Sequence, residues 1–304
     1  GCMLKLRCSS STTANGIQTV AAGRTIVDVW TDLFSTSHIF ANTIKDKKYF
    51  ANIFKKQILG KKIVSVRRRA KNILIELSGG TTFLIHMKMT GHVMYGRYEY
   101  NKKQNVWTPV KGQTSLEDPF NRFIHLVFTL DNGFHLVLCD MRKFAKVTLV
   151  DETLKKELED MGIDPFDAAF DTKIFTEKIS RFPNTVIKTA LMDQRLVVGI
   201  GNIYSDEILH AAGVLPYRKV SELSTQELKE IHKHIQPILR QGIDFGGDSM
   251  SDYRNIYGEQ GKFQGKHKAY RRTGLPCTKK GCPGKIERKV LNARSAHFCP
   301  VCQK

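Results

Sequence analysis

The chain has 304 residues and carries 48 Lys and Arg against 29 Asp and Glu, a formal charge of +19, with 41% apolar residues. That length supports more than one hydrophobic core, and so large a positive excess points to a polyanionic partner, nucleic acid ahead of an anionic membrane. No long uncharged apolar run and no basic amphipathic helix with a clear apolar face is legible, so the membrane-spanning and membrane-surface classes are not expected.

From Thr25 to Val150 the pattern predicts strands. Ile63–Val66, Asn72–Leu77, Thr82–Met87, Phe123–Leu130 and Phe134–Leu138 are β-rich runs, and Ser78-Gly79-Gly80 and Asp131-Asn132-Gly133 are hairpin signals. An antiparallel β-sandwich is expected over residues 1–150. Asp151–Met161, closed by Gly162 and followed by Pro165, reads as a helix leading into a linker, with 151–171 as the connecting stretch.

Beyond the linker the period changes. Ser224 and Glu227 make a capping box, and Leu228, Ile231, Ile235, Ile238 and Leu239 follow at helical spacing, with a kink expected at Pro237. Residues 172–270 are therefore expected to be helical, and the fold class is α+β. Within them, the run from Leu191 to His210 reads as a helix, a turn loosened by Gly199 and Gly201, and a second helix capped by Asn202. The free N–H groups and positive dipole end of that second helix make an anion seat. A lone Gly-x-Gly turn is weak evidence; beside a basic hairpin it reads as a phosphate clamp.

Residues 271–304 form that hairpin. Cys277 and Cys282 are one pair and Cys299 and Cys302 another, separated by a spacing that suits one tetrahedral zinc ion, with Pro276, Gly281, Pro283 and Gly284 supplying the bends. The alternative is two disulfides, but Cys2, Cys8 and Cys139 form no such pattern and the chain reads as lacking a secretory segment. Four thiolates leave no open position, so the site is expected to be structural. Residues 251–304 hold 13 basic and 3 acidic residues, and Lys279, Lys280, Lys285, Arg288, Lys289 and Arg294 crowd the cysteines.

Several separated motifs, in order, resemble the formamidopyrimidine-DNA glycosylase family and its sister, endonuclease VIII. They are Arg68-Arg69-Ala70-Lys71; His86-Met87-Lys88-Met89-Thr90-Gly91; Asp140-Met141-Arg142-Lys143-Phe144; Asp193-Gln194 through Gly199-Ile200-Gly201-Asn202-Ile203-Tyr204 with Glu207; and Arg294 with the closing Cys299-Pro300-Val301-Cys302-Gln303-Lys304. The resemblance runs from about Gly16 to Lys304. It implies a β-sandwich catalytic-type domain, a helix-two-turn-helix DNA-binding domain and a zinc finger. It also implies one structural zinc ion, and double-stranded DNA with oxidised bases or abasic sites as partner. The function implied is excision of oxidised purines in base-excision repair, by a monomer in a bacterial-type cytoplasm.

Such enzymes pull the damaged base out of the duplex. The resemblance gives Met89, Arg142 and Phe144 the tasks of filling the hole, hydrogen-bonding the orphaned base and wedging the stack. Ordinary sheet packing is the alternative for Met89 and Phe144. Lys71, Asn202 and Arg294 match phosphate-binding residues, and Lys71 and Arg294 also match candidates for assisting strand elimination; a solvated surface lysine is the alternative for Lys71. His125 and Lys143 match further DNA contacts. Both come with departures: Phe123 precedes His125 where a histidine is common, and Lys143 stands where many relatives have arginine. The run containing Gly247, Ser249, Met250 and Tyr253 matches the loop that covers an extruded purine; a plain Gly-rich loop is the alternative.

The family's nucleophile is an amino-terminal proline followed by a glutamate. Residues 1–13 contain neither proline nor acid, and Leu4 and Lys5 are aligned with the catalytic pair. Three explanations remain open: an altered reading frame or start, an organellar transit peptide, or a homologue that binds lesions without excising them.

Overall fold

The computed structural model describes residues 9–244 and 254–304. The chain divides into two compact units. The first runs to Lys156 and takes in the stretch around Ile256, and the second comprises Glu157–Gly242 and Phe263–Lys304.

The first unit opens with helix α1 (Ser9–Ala21), followed by β1 (Ile26–Thr31). Two short helices, α2 (Lys47–Tyr49) and α3 (Lys55–Ile58), flank a π-turn. Then come β2 (Ile63–Arg69), β3 (Asn72–Leu77), β4 (Thr82–His86) and β5 (Gly91–Gly96). A hairpin of β6 (Tyr98–Asn101) and β7 (Val106–Pro109) precedes β8 (Ile124–Leu130), β9 (His135–Asp140) and β10 (Lys146–Leu149). The strands form two antiparallel four-stranded sheets, ordered β1-β8-β9-β5 and β10-β4-β3-β2.

The sandwich expected from the strand pattern is therefore present. Ile73, Ile75, Phe83 and Ile85 from one sheet and Val93, Leu126, Phe128 and Leu138 from the other share one buried core, and the rings of Phe83 and Phe128 lie 5.3 Å apart. The residues between them on the same strands, Leu74, Leu84, Val127 and Val137, are also buried, so these central strands are covered on both faces. Ala14, Ile17 and Ala21 bring α1 into the same core. Both hairpin signals hold: Gly79, Gly80 and Gly133 take positive φ angles in the β3–β4 and β8–β9 turns, where glycine meets no steric penalty.

The second unit begins within α4 (Glu152–Glu159), shorter at each end than its sequence suggests. It continues with α5 (Thr172–Ser180), α6 (Ile187–Met192), α7 (Asn202–Ala212) and α8 (Thr225–Asp244), and closes with the hairpin β11 (Glu287–Leu291) and β12 (Arg294–Phe298). The capping box forms: Ser224 N donates to the Glu227 carboxylate at 2.7 Å and Glu227 N donates to Ser224 Oγ at 3.2 Å. Helix α8 continues through Pro237. Its apolar positions Leu228, Ile231, Ile235 and Leu239 pack with Ile187, Leu191, Ile208 and Leu209 into a second core. Among the described residues no helix is long and apolar enough to cross a membrane.

Candidate nucleic-acid interface and metal centre

Strand register brings the motifs of the first unit together. His86, ending β4, pairs with Asn72 at the start of β3 and with Lys146 at the start of β10. In the other sheet Gly91, opening β5, pairs with Asp140, ending β9. The turn carrying Met89 and the loop carrying Arg142, Lys143 and Phe144 thus both cross from one sheet to the other at the same edge. Lys71, in the β2–β3 turn, precedes Asn72 there. Gly91 is required at this crossing, since a Cβ on it would stand 2.4 Å from the Met87 carbonyl oxygen.

Met89 is 67% exposed and Phe144 is 53% exposed. That excludes the sheet-packing alternative and leaves both side chains accessible to a partner. The Arg142 guanidinium lies 5.3 Å from the Phe144 ring centre, a cation–π contact that pairs the fork with the flat ring. His125 Nδ1 donates to Asp32 at 2.7 Å, and the Lys143 ammonium reaches the other oxygen of Asp32 at 3.8 Å. Lys71 is exposed and Ser10 donates to its carbonyl at 3.3 Å. Burial pushes the His86 imidazole down to about 4, with the cations of Lys88, Lys71 and Lys146 adding to the effect, so the ring is neutral at pH 7 amid positive charge.

In the second unit one expectation is corrected. Asn202 does not cap α7: Gly201 occupies the cap position without a side-chain bond, and Asn202 is the first helical residue. Its side chain turns toward the hairpin, where its amide donates to Ser295 Oγ at 3.4 Å, leaving Oδ1 buried without a partner. The turn before it is held by Gln194, whose amide donates to the Met192 and Ile200 carbonyls at 3.0 and 2.9 Å and accepts from Gly199 N at 2.8 Å.

Ser295 follows Arg294, so the Asn202 bond sets Arg294 beside the start of α7. Asn292 and Ala293 form the β11–β12 turn with positive φ, and Asn292 donates to Thr189 Oγ1 at 3.1 Å. A cleft of about 280 Å³ lies here, lined by Lys188, Thr189, Asp193, Asn292 and Arg294 among others. Beneath it Lys188, 1% exposed, donates to the Asn202 carbonyl at 3.2 Å and pairs with Asp206. Asp206 also accepts from the N–H and Nδ1 of His297 at 3.0 and 2.9 Å, bolting β12 onto α7. Lys188, Asp206 and His297 carried no sequence signal, being scattered and buried.

The cysteines expected to bind metal converge: the sulfurs of Cys277, Cys282, Cys299 and Cys302 all lie within 4.8 Å of one another. The Cys277–Cys302 and Cys282–Cys299 separations are 3.7 and 3.6 Å. Four thiolates at zinc-bonding length around one tetrahedral ion stand about 3.8 Å apart, so these residues fit a single metal ion. Gly284 leaves room, because a Cβ there would meet Cys299 Sγ at 2.6 Å. Glu207 fixes the approach to this cluster by accepting from the backbone N–H groups of Lys268, Ala269 and Tyr270 at 2.8, 3.0 and 2.8 Å. Gln303 ties it to the helical unit, accepting from Cys299 N and donating to the Val214 carbonyl, each at 2.7 Å. Gly247, Ser249, Met250 and Tyr253 lie outside the described residues.

Comparison with known proteins agrees with this arrangement. Residues 11–147 match the formamidopyrimidine-DNA glycosylase N-terminal domain, and residues 161–254 match the formamidopyrimidine-DNA glycosylase H2TH domain. The chain is 35% identical over 254 residues to a formamidopyrimidine-DNA glycosylase of Pelotomaculum thermopropionicum, covering 83% of this chain and 84% of that one. It is 36% identical over 252 residues to one of Herpetosiphon aurantiacus, covering 83% and 85%. In three dimensions it resembles the Lactococcus lactis Fpg bound to abasic-site DNA, with a TM-score of 0.78 at 27% identity over 97% of this chain and 98% of the other. The chain belongs to the formamidopyrimidine-DNA glycosylase family.

Proposed function

We propose that this protein is a base-excision repair DNA glycosylase that removes oxidised purines, 8-oxoguanine and formamidopyrimidines, with associated strand cleavage at the abasic site. The observation that carries the reading is the pair of sheet-crossing loops that leave Met89, Arg142 and Phe144 exposed at one edge. A flexible apolar chain, a guanidinium fork and a flat ring suit filling, reading and wedging a duplex from which one nucleotide has been extruded. Lys71, His125 and Lys143 in the first unit and Asn202 and Arg294 in the second supply cations and amide donors to phosphates. Lys71 and Arg294 also remain candidates to assist strand elimination.

The division carried into this reading is a catalytic-type domain over 1–150, a linker over 151–171, a helix-two-turn-helix domain over 172–270 and a zinc finger over 271–304. Zinc is the metal that four clustered thiolates favour; bound there, it supplies folding energy to the hairpin that presents Arg294. The protein acts as a monomer on double-stranded DNA in a bacterial-type cytoplasm.

A second reading, a protein that binds lesions without excising them, rests on Leu4 and Lys5 standing at the positions that the resemblance gives to the catalytic proline and glutamate. Borohydride trapping on duplex containing 8-oxoguanine separates the two. A covalent adduct with base release supports the glycosylase. Tight binding to abasic-analogue duplex with no adduct selects the second reading, and release of oxidised pyrimidines in preference to purines selects the endonuclease VIII branch.

A further inference from the structure

Lys45 is only 5% exposed, on the loop before α2, and the reading above leaves it without a task. Its main chain is pinned: Ser35 N donates to its carbonyl at 2.9 Å, and Ile44 N donates to the Val147 carbonyl at 3.0 Å. From that anchor the ammonium lies 4.3 Å from the Phe40 ring centre and donates to the Lys143 carbonyl at 2.5 Å. Lys143 stands between Arg142 and Phe144 with a φ of 55°. That left-handed conformation persists in a non-glycine residue only where its surroundings hold it.

The same loop is held from its other side. Asp140 is fully buried; its carboxylate accepts from Ala145 N at 2.7 Å and from the Thr90 hydroxyl, and its carbonyl accepts from Lys143 N at 3.0 Å. Arg142 N in turn donates to the Thr90 hydroxyl at 3.4 Å. Thr90 follows Met89, so one hydroxyl ties the Met89 turn to the Arg142 loop.

Burying an ammonium is costly. Burial lowers the Lys45 pKa, with the charge of Asp140 opposing and that of Lys88 reinforcing the shift. An apolar side chain of similar size would fill the space without that cost but would make no bond. What Lys45 bonds is the carbonyl of the strained residue between the candidate base reader and the wedge.

We infer that Lys45 is a positioning residue for opposite-base reading: its bond to the Lys143 carbonyl, with the Asp140–Thr90 bond on the other side, fixes how Arg142 and Phe144 are presented to the duplex. This rests on the assignment of Arg142 to the orphaned base. Lys45 itself touches no DNA, so its loss changes selectivity without changing the number of phosphate contacts.

The test is equilibrium binding of the full chain to duplexes with an abasic-site analogue opposite each of the four bases, at several salt concentrations. Lys45→Met should cut the ratio between the preferred and least preferred opposite base by about fivefold or more, while leaving the salt slope unchanged. Lys45→Arg, which keeps the charge and a donor, should restore most of the ratio. Thr90→Val releases the clamp from its far side without touching Lys45, and should lower the ratio in the same way even if Lys45→Met does not fold. Undiminished discrimination in folded Lys45→Met, or in Thr90→Val where Lys45→Met does not fold, or an equal loss opposite all four bases, overturns the inference. If the unaltered chain shows no preference for the abasic analogue over intact duplex, the assignment of function fails instead, and this inference falls with it.

Discussion

Lys188 and Asp206 form an ion pair in which neither side chain reaches solvent, at 1% and 0% exposure. Asp206 sits one turn into α7 and also holds His297 of β12, while Lys188 also bonds the carbonyl of Asn202 and the hydroxyl of Ser205. The candidate phosphate contacts Asn202 and Arg294 therefore stand on a scaffold joined by one buried charge network.

Breaking that network from one side leaves an uncompensated buried charge. Asp206→Asn or Lys188→Met should each destabilise the protein by about 3–5 kcal/mol. The double variant Lys188→Met with Asp206→Leu should recover part of the loss, because neither charge is then stranded. Denaturant unfolding of all three variants measures this; a double variant as unstable as the sum of the singles contradicts the network.

The cysteine cluster predicts a metal-dependent hairpin. Cys299→Ser should release the bound metal, unfold residues 271–304 and weaken DNA binding together, since the metal energy of a structural site is folding energy. Metal stoichiometry by elemental analysis, alongside binding to abasic-analogue duplex, reads both. Full stoichiometry with unchanged affinity contradicts the assignment.

Two arginines should behave differently in the same assay. Arg294→Ala should weaken binding to damaged and undamaged duplex alike and shallow the salt dependence by about one unit of slope. Arg142→Ala should cost roughly 1–3 kcal/mol, mainly opposite the preferred base, and flatten discrimination among the four. Equal losses opposite every base for Arg142→Ala, with an unchanged slope for Arg294→Ala, would leave only a generally basic surface.

His92 gives a pH prediction. It is 1% exposed, its Nε2 lies 2.9 Å from the Asn121 side-chain oxygen, and burial pushes it down to about 4. The unfolded chain then binds the proton more readily than the folded one between about pH 6.5 and pH 4. Stability is full above that window, falls as the pH drops through it and levels off below, by at most about 3 kcal/mol for this group. His86, also pushed down to about 4, adds to the same slope. Unfolding free energies measured from pH 7 to pH 4 should show the decline, and His92→Gln should reduce its steepness.

The local signals were those that depend on neighbours in sequence. Cysteine spacing locates the four-thiol cluster because knuckle residues lie close along the chain. Ser224 and Glu227 announced α8 because a capping box spans one helical turn. Asn72–Leu77 was legible as a strand to the residue, and Ser78-Gly79-Gly80 as its turn, since β-rich composition and glycine conformational freedom are written locally. Asn202 misled for the same reason. Its side chain has the chemistry of a helix cap, but Gly201 already fills that position and Ser295, 93 residues away, gives the asparagine another partner.

By itself the sequence carried the main strands and the capping of α8, the charge that calls for a polyanion, and four cysteines whose spacing suits one metal ion. It did not carry α1, or the helical stretch of α2 and α3, which lies within residues whose pattern predicts strands. Tertiary structure decided which distant residues meet. The alignment of Asn72, His86 and Lys146 at one sheet edge, the Thr90–Asp140 bond between two loops and the burial of Lys188 against Asp206 all follow from strand register and helix packing. Those energies are summed over the whole core and are invisible in any short window of residues. Register places the Arg142–Phe144 loop at the end of the sheets where Met89 also emerges, and only a folded sandwich fixes register.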